Sequence, residues 1–270
     1  MVQLNGVSLS YRGAKGKERT SAVFDINARF EEGLFHAIIG PSGCGKTSLL
    51  RIIAALIRPT EGTVSVGSTE LTGIREGTAV IFQDYGLLPW KTVRANAELP
   101  LRLKGRLSAK SEGRQKVDAL LAEFGLTSFA GHYPSQLSGG MKQRLAIVRA
   151  LAASPELLLM DEPFSSLDSL TREDAQDFLL EMQRERRLTI IMITHSIEEA
   201  VYLADAVHVM NGINPGRIIE RVNIERGENS PHADFRGQPR FQEYCTALRQ
   251  MCRRQACRRQ NCRLEGQGAL

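Results

Sequence analysis

The octapeptide Gly40-Pro41-Ser42-Gly43-Cys44-Gly45-Lys46-Thr47 constrains this chain more than any other stretch. An apolar run, Phe35-His36-Ala37-Ile38-Ile39, leads into it, and Ser48-Leu49-Leu50-Arg51-Ile52-Ile53 follows with helical spacing, which predicts a strand, a tight turn and a helix. The turn fits the pattern G-x-x-x-x-G-K-[ST]. Glycines at the tight positions let the backbone curl so that successive N–H groups converge on a polyphosphate. Lys46 adds a point charge toward the β and γ phosphates, and the Thr47 hydroxyl is suited to coordinating Mg²⁺. Residues Gly40 to Ser48 are therefore candidate nucleotide contacts.

Bulk properties narrow the setting. The chain has 270 residues, 42% of them hydrophobic and 24% charged, the balance of an ordinary globular protein. No run of eighteen apolar residues is present, and the opening residues lack a basic region followed by an apolar core. A cytoplasmic setting is the expectation. The net charge of +5 is local: Cys245 to Leu270 holds six arginines against Glu265 alone, leaving the rest neutral. Such a tail reads as a solvated or partner-touching end, so no nucleic-acid partner is expected.

Along the chain, Val2 to Tyr11 alternates as a half-buried strand, and Ala22 to Phe30 supplies a second, giving an antiparallel start. Tyr11 is either a core or edge aromatic or a ring that stacks on a nucleotide base. Thr63 to Val66 and Ala79 to Phe82 read as short strands. Gln83, leaving the second, is either a surface residue or a contact to a metal or water near the γ phosphate. The apolar loop Leu87-Leu88-Pro89-Trp90 suggests a surface for another protein. Thr92 to Phe124 turns helical, broken at Lys104-Gly105-Arg106, with Ser108 as a cap and Gly125 closing it.

Ser138-Gly139-Gly140 opens another helix, through Ala153, and makes a second anion site at a helix N-terminus. One phosphate loop has no use for two such sites within a single chain; a dimer does. Leu157 to Met160 is a continuous apolar strand ending in Asp161 and Glu162. That pair either caps the following turn or serves a metal nucleotide, Asp161 holding the ion and Glu162 polarising water. Thr171 to Arg187 is amphipathic. Thr189 to Thr194 is a further buried strand ending at His195, followed by a capping box, Ser196 to Glu199. His195 leaves the sheet on the edge where open α/β sheets bind ligands.

These residues, in this order, resemble the nucleotide-binding subunit of an ATP-binding cassette (ABC) transporter from about Val2 to Glu225. The resemblance implies an α/β fold: a P-loop NTPase (RecA-like) core, an N-terminal antiparallel β subdomain and an α-helical subdomain inserted at about 88–153. Gly40 to Thr47 matches the Walker A motif, Gln83 the Q-loop, Leu137 to Gln143 the signature, Leu157 to Glu162 Walker B, Ser165 to Asp168 the D-loop, His195 the switch histidine and Tyr11 the adenine-stacking aromatic. Two departures stand out: Met141-Lys142 precede Gln143 in the signature, and Ser165-Ser166 replace the usual Gly-Ala. Within the family, Phe82 to Trp90, Asp161 to Phe164 and Pro215 to Ile218 look like importers of nitrate, sulfonates and taurine, with importers of thiamine-precursor pyrimidines similar.

The resemblance implies an ATPase using ATP and Mg²⁺, with Glu162, His195, Lys46 and Gln83 catalytic and Thr47, Gln83 and Asp161 near the metal. It implies a head-to-tail homodimer in which Ser138, Gly139, Gly140 and Asp168 complete the nucleotide sites. It further implies a separate transmembrane permease fed by a solute-binding protein, at the cytoplasmic face of a bacterial plasma membrane. A soluble ATPase of the same family without a permease is the competing class, and a non-enzymatic nucleotide sensor would need damaged catalytic residues. Residues 226–270 lie outside the resemblance. There Phe241, Tyr244, Cys245, Leu248, Met251 and Cys252 make a helical apolar stripe suited to docking, and beyond it the composition favours a loose basic end carrying Cys257 and Cys262.

Overall fold

In the computed structural model, the structure describes residues 1–12, 19–105, 112–212, 214–226 and 235–265. The chain divides into two compact units, Met1–Arg75 with Thr189–Leu270, and Glu76–Leu188. The cap expected at Ser108 lies outside the described residues.

The first unit opens with β1 (Val2–Arg12) and β2 (Arg19–Phe30), antiparallel as the alternation requires. β4 (Glu61–Val66) pairs with β1 and with a two-residue strand, β5 (Thr69–Glu70), giving the order β2-β1-β4-β5. Val2, Leu4, Val7 and Leu9 are buried, as one face of a half-solvated sheet should be. β2 and β4 each start earlier than the sequence suggests.

Beside this sheet stand β3 (Phe35–Ile39), β8 (Thr189–Ile193) and β9 (Ala206–Met210), every residue of which is buried. β3 lies parallel between β8 and β9, and β10 (Ile218–Asn223) adds an antiparallel edge. Continuous apolar strands suit a parallel sheet covered on both faces. Ile38 aligns with Ile193 and with His208, so the chain leaves β3, β8 and β9 at one edge. The phosphate loop, His195 and the β9–β10 connection all emerge there. α1 (Lys46–Ile53) follows the loop and α6 (Ile197–Leu203) follows His195.

The apolar stripe of the tail does dock. α7 (Pro239–Glu265) buries Phe241, Cys245 and Leu248, packs on α6 and is tied to its first turn by the Arg249–Glu198 ion pair. Where composition favours a loose basic end past Cys252, the backbone continues as helix.

The second unit holds β6 (Thr78–Ile81) parallel to β7 (Leu157–Asp161), with Ile81 opposite Met160. Around them lie α2 (Val93–Leu103), α3 (Glu112–Glu123), α4 (Gly139–Ala152) and α5 (Ser169–Arg186). α2 and α3 both pack against α4. Ser138 caps α4 as expected, while α5 starts earlier than Thr171 because Asp168 serves as its cap.

Two histidines are buried at the start of the first unit's sheet. His208 Nε2 faces His36 Nδ1 at 3.4 Å, Phe30 packs on both rings, and His36 Nε2 is 3.1 Å from the Glu31 carbonyl. Burial pushes His208 down to about 3, with the positive fields of His36 and Arg221 adding to it. Burial also lowers His36, against the opposing pull of the Glu31 carbonyl and carboxylate. Both are lowered from the ordinary 6.5 that the unfolded chain retains, so their stabilising effect is whole above pH 6.5 and is lost as pH falls below it. His208 by itself should then cost up to about 1.4 kcal/mol of stability per pH unit between 6.5 and 5. Urea unfolding at pH 8, 6.5 and 5 measures this, and His208→Leu is expected to flatten the dependence.

Candidate functional site

The phosphate loop owes its curl to two left-handed glycines, Gly43 at φ 78° and Gly45 at φ 97°, conformations that a residue with a Cβ pays to adopt. Open space surrounds Gly43, whereas a Cβ at Gly45 would stand 2.5 Å from the Ala22 carbonyl oxygen. Lys46, 7% exposed, donates from Nζ to the Gly40 carbonyl at 2.8 Å and to the Pro41 carbonyl at 3.1 Å. Its ammonium therefore sits within the curl. Ser42 is exposed and Thr47 and Ser48 half-buried at the opening turn of α1, while Cys44 is buried. Ser48 Oγ is 3.1 Å from the Tyr11 hydroxyl, and Tyr11, on the edge of β1, is 40% exposed.

His195 is exposed, between two residues that pin its backbone. Thr194 Oγ1 accepts from the Ser196 N–H at 3.0 Å and lies 2.6 Å from the Glu199 carboxylate, while Ser196 Oγ accepts from the Glu199 N–H at 3.1 Å. Half of the expected capping box forms directly. The other half runs through the Thr194 hydroxyl, which takes the cap N–H that Glu199 would otherwise take.

In the second unit, Gln83 leaves β6 and Asp161 closes β7 at the same edge. Gln83 is exposed and Asp161 8% exposed. Glu162 is half-buried and holds φ at 47°, a left-handed conformation that costs a non-glycine residue roughly 1 kcal/mol and that concentrates at working sites. The turn after it is closed by the Ser165 N–H and Oγ, both bonded to the Glu162 carbonyl, so serine at 165 preserves it. Serine at 166 adds a contact that alanine lacks, Oγ to the Tyr85 hydroxyl at 2.6 Å. Asp168 accepts from the Thr171 N–H at 3.0 Å, and that bond holds its carboxyl below the usual range. The glycines of the signature lie against this turn: a Cβ on Gly140 would meet Thr171 Cγ2 at 2.6 Å, and one on Gly139 would meet Leu167 Cδ2 at 3.1 Å.

Two residues absent from the sequence reading hold the Gln83 segment. Arg149, on α4, donates to the Gly86 carbonyl at 2.6 Å and the Tyr85 carbonyl at 2.7 Å; burial pulls its guanidinium below the ordinary value. Asn96, fully buried on α2, accepts from the Leu88 N–H at 2.8 Å and donates to the Leu88, Lys91 and Thr92 carbonyls. It closes the loop that carries Trp90, which is 70% exposed. An asparagine inside an amphipathic helix was the available signal.

The family model described as "ABC transporter" matches residues 23–165. This chain belongs to that family, as an ATP-binding subunit. It is 42% identical over 221 residues to an aliphatic sulfonates import ATP-binding protein of Bacillus licheniformis, covering 80% of this chain and 84% of that one. It is 38% identical over 245 residues to a taurine import ATP-binding protein of Yersinia pestis, covering 89% and 92%. An ABC transporter ATP-binding protein of Methanocaldococcus jannaschii is 44% identical over 219 residues, 80% and 81%. Among solved structures, a dimeric ATP-binding cassette in a post-hydrolysis state with ADP and Pi superposes with a TM-score of 0.73 at 33% identity, over 83% of this chain and 99% of that one. The fold expected from the motifs, a P-loop NTPase with an antiparallel β subdomain, is the fold observed.

Replacing Asn96 by leucine would strand the Leu88 N–H and the Lys91 carbonyl, an expected loss of about 2 to 4 kcal/mol. The same change should loosen the loop. Acrylamide quenching of Trp90, the only tryptophan, is expected to rise in Asn96→Leu at denaturant concentrations where the chain remains folded.

Proposed function

We propose that this chain is the ATP-hydrolysing subunit of a bacterial importer that takes up a small anionic solute such as a sulfonate, taurine or nitrate through a separate permease. The observations that carry the reading are, in the first unit, a Walker A curl around Lys46 and, in the second, a β7 strand end with Asp161 and a left-handed Glu162. The import proteins for aliphatic sulfonates and taurine, similar over most of their length, support the solute class.

The donor set suits magnesium. Thr47, Gln83 and Asp161 offer a hydroxyl, an amide oxygen and a carboxylate, the all-oxygen set a hard cation prefers. When bound, Mg²⁺ would offset charge on the phosphate oxygens. The chain's own residues do the rest. Backbone N–H groups from Gly43 to Thr47 and the Lys46 ammonium hold the phosphates, and Tyr11 receives the adenine. Glu162 accepts hydrogen-bonding from the attacking water as it adds to the γ phosphorus and the bridging oxygen leaves with ADP. His195 and Gln83 contact the γ phosphate and orient that water. Positioning and charge stabilisation account for most of the rate gain.

The second anion site at Ser138 to Gly140 belongs to a homodimer in this reading, each ATP lying between Lys46 of one subunit and Ser138 of the partner subunit, with Asp168 at the same junction. A dimeric cassette similar to this chain supports that arrangement. Among the described residues no helix is long and apolar enough to cross a membrane. In this reading the chain sits peripherally, on the cytoplasmic face, held there by its contact with a permease. The loop Leu87 to Trp90 and helices α2 and α3 are the docking surface, and a solute-binding protein acts indirectly, from the other side.

Two measurements test this. Glu162→Gln is expected to keep ATP affinity and lower turnover by at least about 100-fold, the lower end of what a positioned base contributes; retained turnover removes Glu162 from the role. Co-purification of the tagged chain from native membranes is expected to bring down a polytopic permease, and Trp90→Ala with Leu88→Ala should weaken that capture. A soluble partner in place of the permease would leave the ATPase standing and end the transport reading.

A further inference from the structure

The outer side of the phosphate loop is packed closely at Gly45 and Cys44 by main chain, with Val23 and Met210 side chains beside it. The connection between β9 and β10 lies against it. The Gly216 N–H donates to the Ala22 carbonyl at 3.0 Å, and the Gly216 carbonyl accepts from the Phe24 N–H at 2.9 Å, so Gly216 is spliced onto β2 opposite Val23. Asn211 anchors the other end of the connection. Its N–H donates to the Arg217 carbonyl at 2.9 Å, and its Oδ1 accepts from the Arg217 N–H at 2.8 Å.

This splice leaves no room for a side chain at 216. A Cβ there would overlap the Cys44 carbonyl oxygen and stand 3.0 Å from its carbon and 2.9 Å from Met210 Cε. The Cys44 carbonyl is thus turned outward, toward the bare Cα of Gly216. In a planar trans peptide the carbonyl and the following N–H point in opposite directions. Turning the Cys44 oxygen toward Gly216 therefore turns the Gly45 N–H away from it, to the opposite side of the loop. Gly45 is confined from the same quarter, since its own Cβ would meet the Ala22 oxygen and Val23 Cγ1 at 2.7 Å. Ala22, Gly45 and Gly216 form a three-way backbone stack, and at both glycines a methyl group would have to displace main chain.

We propose that Gly216 is a positioning residue for phosphate binding: its bare Cα admits the Cys44 carbonyl and so aims the Gly45 N–H at the bound phosphates. The proposal rests on the reading that the loop around Lys46 holds those phosphates. A side chain at 216 pushes the Cys44–Gly45 peptide out of its plane, and the anion site loses a donor although no residue of the loop has changed. Arg217, next in the chain, stacks on Phe24 at 4.5 Å and does not face the loop peptide in this way, so its side chain should matter little.

Calorimetric titration of the purified full chain with ADP tests this. Gly216→Ala is expected to weaken ADP binding by about 10-fold or more, with far-UV circular dichroism close to the wild type and a lowered melting temperature. Asn211→Ala, which adds no bulk and releases one anchor, should weaken it by a few-fold, and Arg217→Ala should leave it within about twofold. In ¹⁵N-labelled protein the Gly45 amide should shift strongly on adding ADP to the wild type and much less in Gly216→Ala. Wild-type ADP affinity in Gly216→Ala, or an equal loss in Arg217→Ala, overturns the proposal. Should Gly216→Ala not fold, Asn211→Ala decides the matter, and wild-type affinity there counts against it. Lys46→Ala separates the two levels: if it keeps ADP affinity, the phosphate-loop reading fails, and if it loses affinity while Gly216→Ala does not, only the role of Gly216 fails.

Discussion

A loop that binds an anion through its main chain must send its N–H groups one way and dispose of its carbonyls another, and this molecule solves the second half of that problem with unusual economy. The Gly40 and Pro41 carbonyls are taken up by the Lys46 ammonium. The Cys44 carbonyl faces the bare Cα of Gly216. Neither solution uses a side chain that would compete with phosphate for the inner N–H groups. The lysine of the motif is thus structural: a cation placed among carbonyl oxygens holds the curl. β3, β8 and β9 contribute by ending in register, which brings the loop, His195 and the Gly216 connection to one edge before any side chain is considered.

The second unit is organised by a different constraint. Its Gln83 segment leaves a strand and has no regular hydrogen-bonding partner strand, so its main chain must be satisfied from elsewhere. Arg149 and Asn96 do this from two helices, and the Tyr85 hydroxyl meets Ser166 in the turn that follows Glu162. The helix that begins at the signature is also the helix that supplies Arg149. The Gln83 segment is therefore tied to α4 by two short charged hydrogen bonds to carbonyls. That mechanical link runs entirely within one unit. Serine at 166, a departure from the usual motif, strengthens it by giving Tyr85 a partner.

Local chemistry is what sequence conveys best. Gly43 and Gly45 were legible because only glycine takes their φ cheaply, Ser138 because a serine before an apolar period is a cap, and β3, β8 and β9 because short unbroken apolar runs suit a covered parallel sheet. Asp161 and Glu162 were legible as an acid pair after such a strand, but the left-handed backbone at Glu162 was not, since nothing in its neighbours' identities demands it. Arg149 and Gly216 were missed for a common reason. Arg149 reads as an ordinary charged position near a helix end, and its partners are 63 and 64 residues away. Gly216 follows a proline, where a glycine suggests only a turn; what it touches is 172 positions earlier. The capping box at Ser196 failed by half because Thr194, two residues upstream, competes for the same N–H.

The tail shows how composition can mislead where periodicity does not. The apolar stripe from Phe241 to Cys252 docks because burying it on α6 recovers hydrophobic free energy that an exposed stripe would forfeit. Cys245 shows the result: burial pushes its thiol up to about 11, so it behaves as a small apolar residue. Two turns further along α7, past the Arg249–Glu198 pair, burial raises the Cys252 thiol too, with Cys44 adding to the effect and Lys46 opposing it. That turn of the helix accordingly lies within electrostatic reach of the phosphate loop. α6 begins just after His195, and α7, which the shared motifs of the family do not include, packs on α6 and pairs with Glu198 in its first turn.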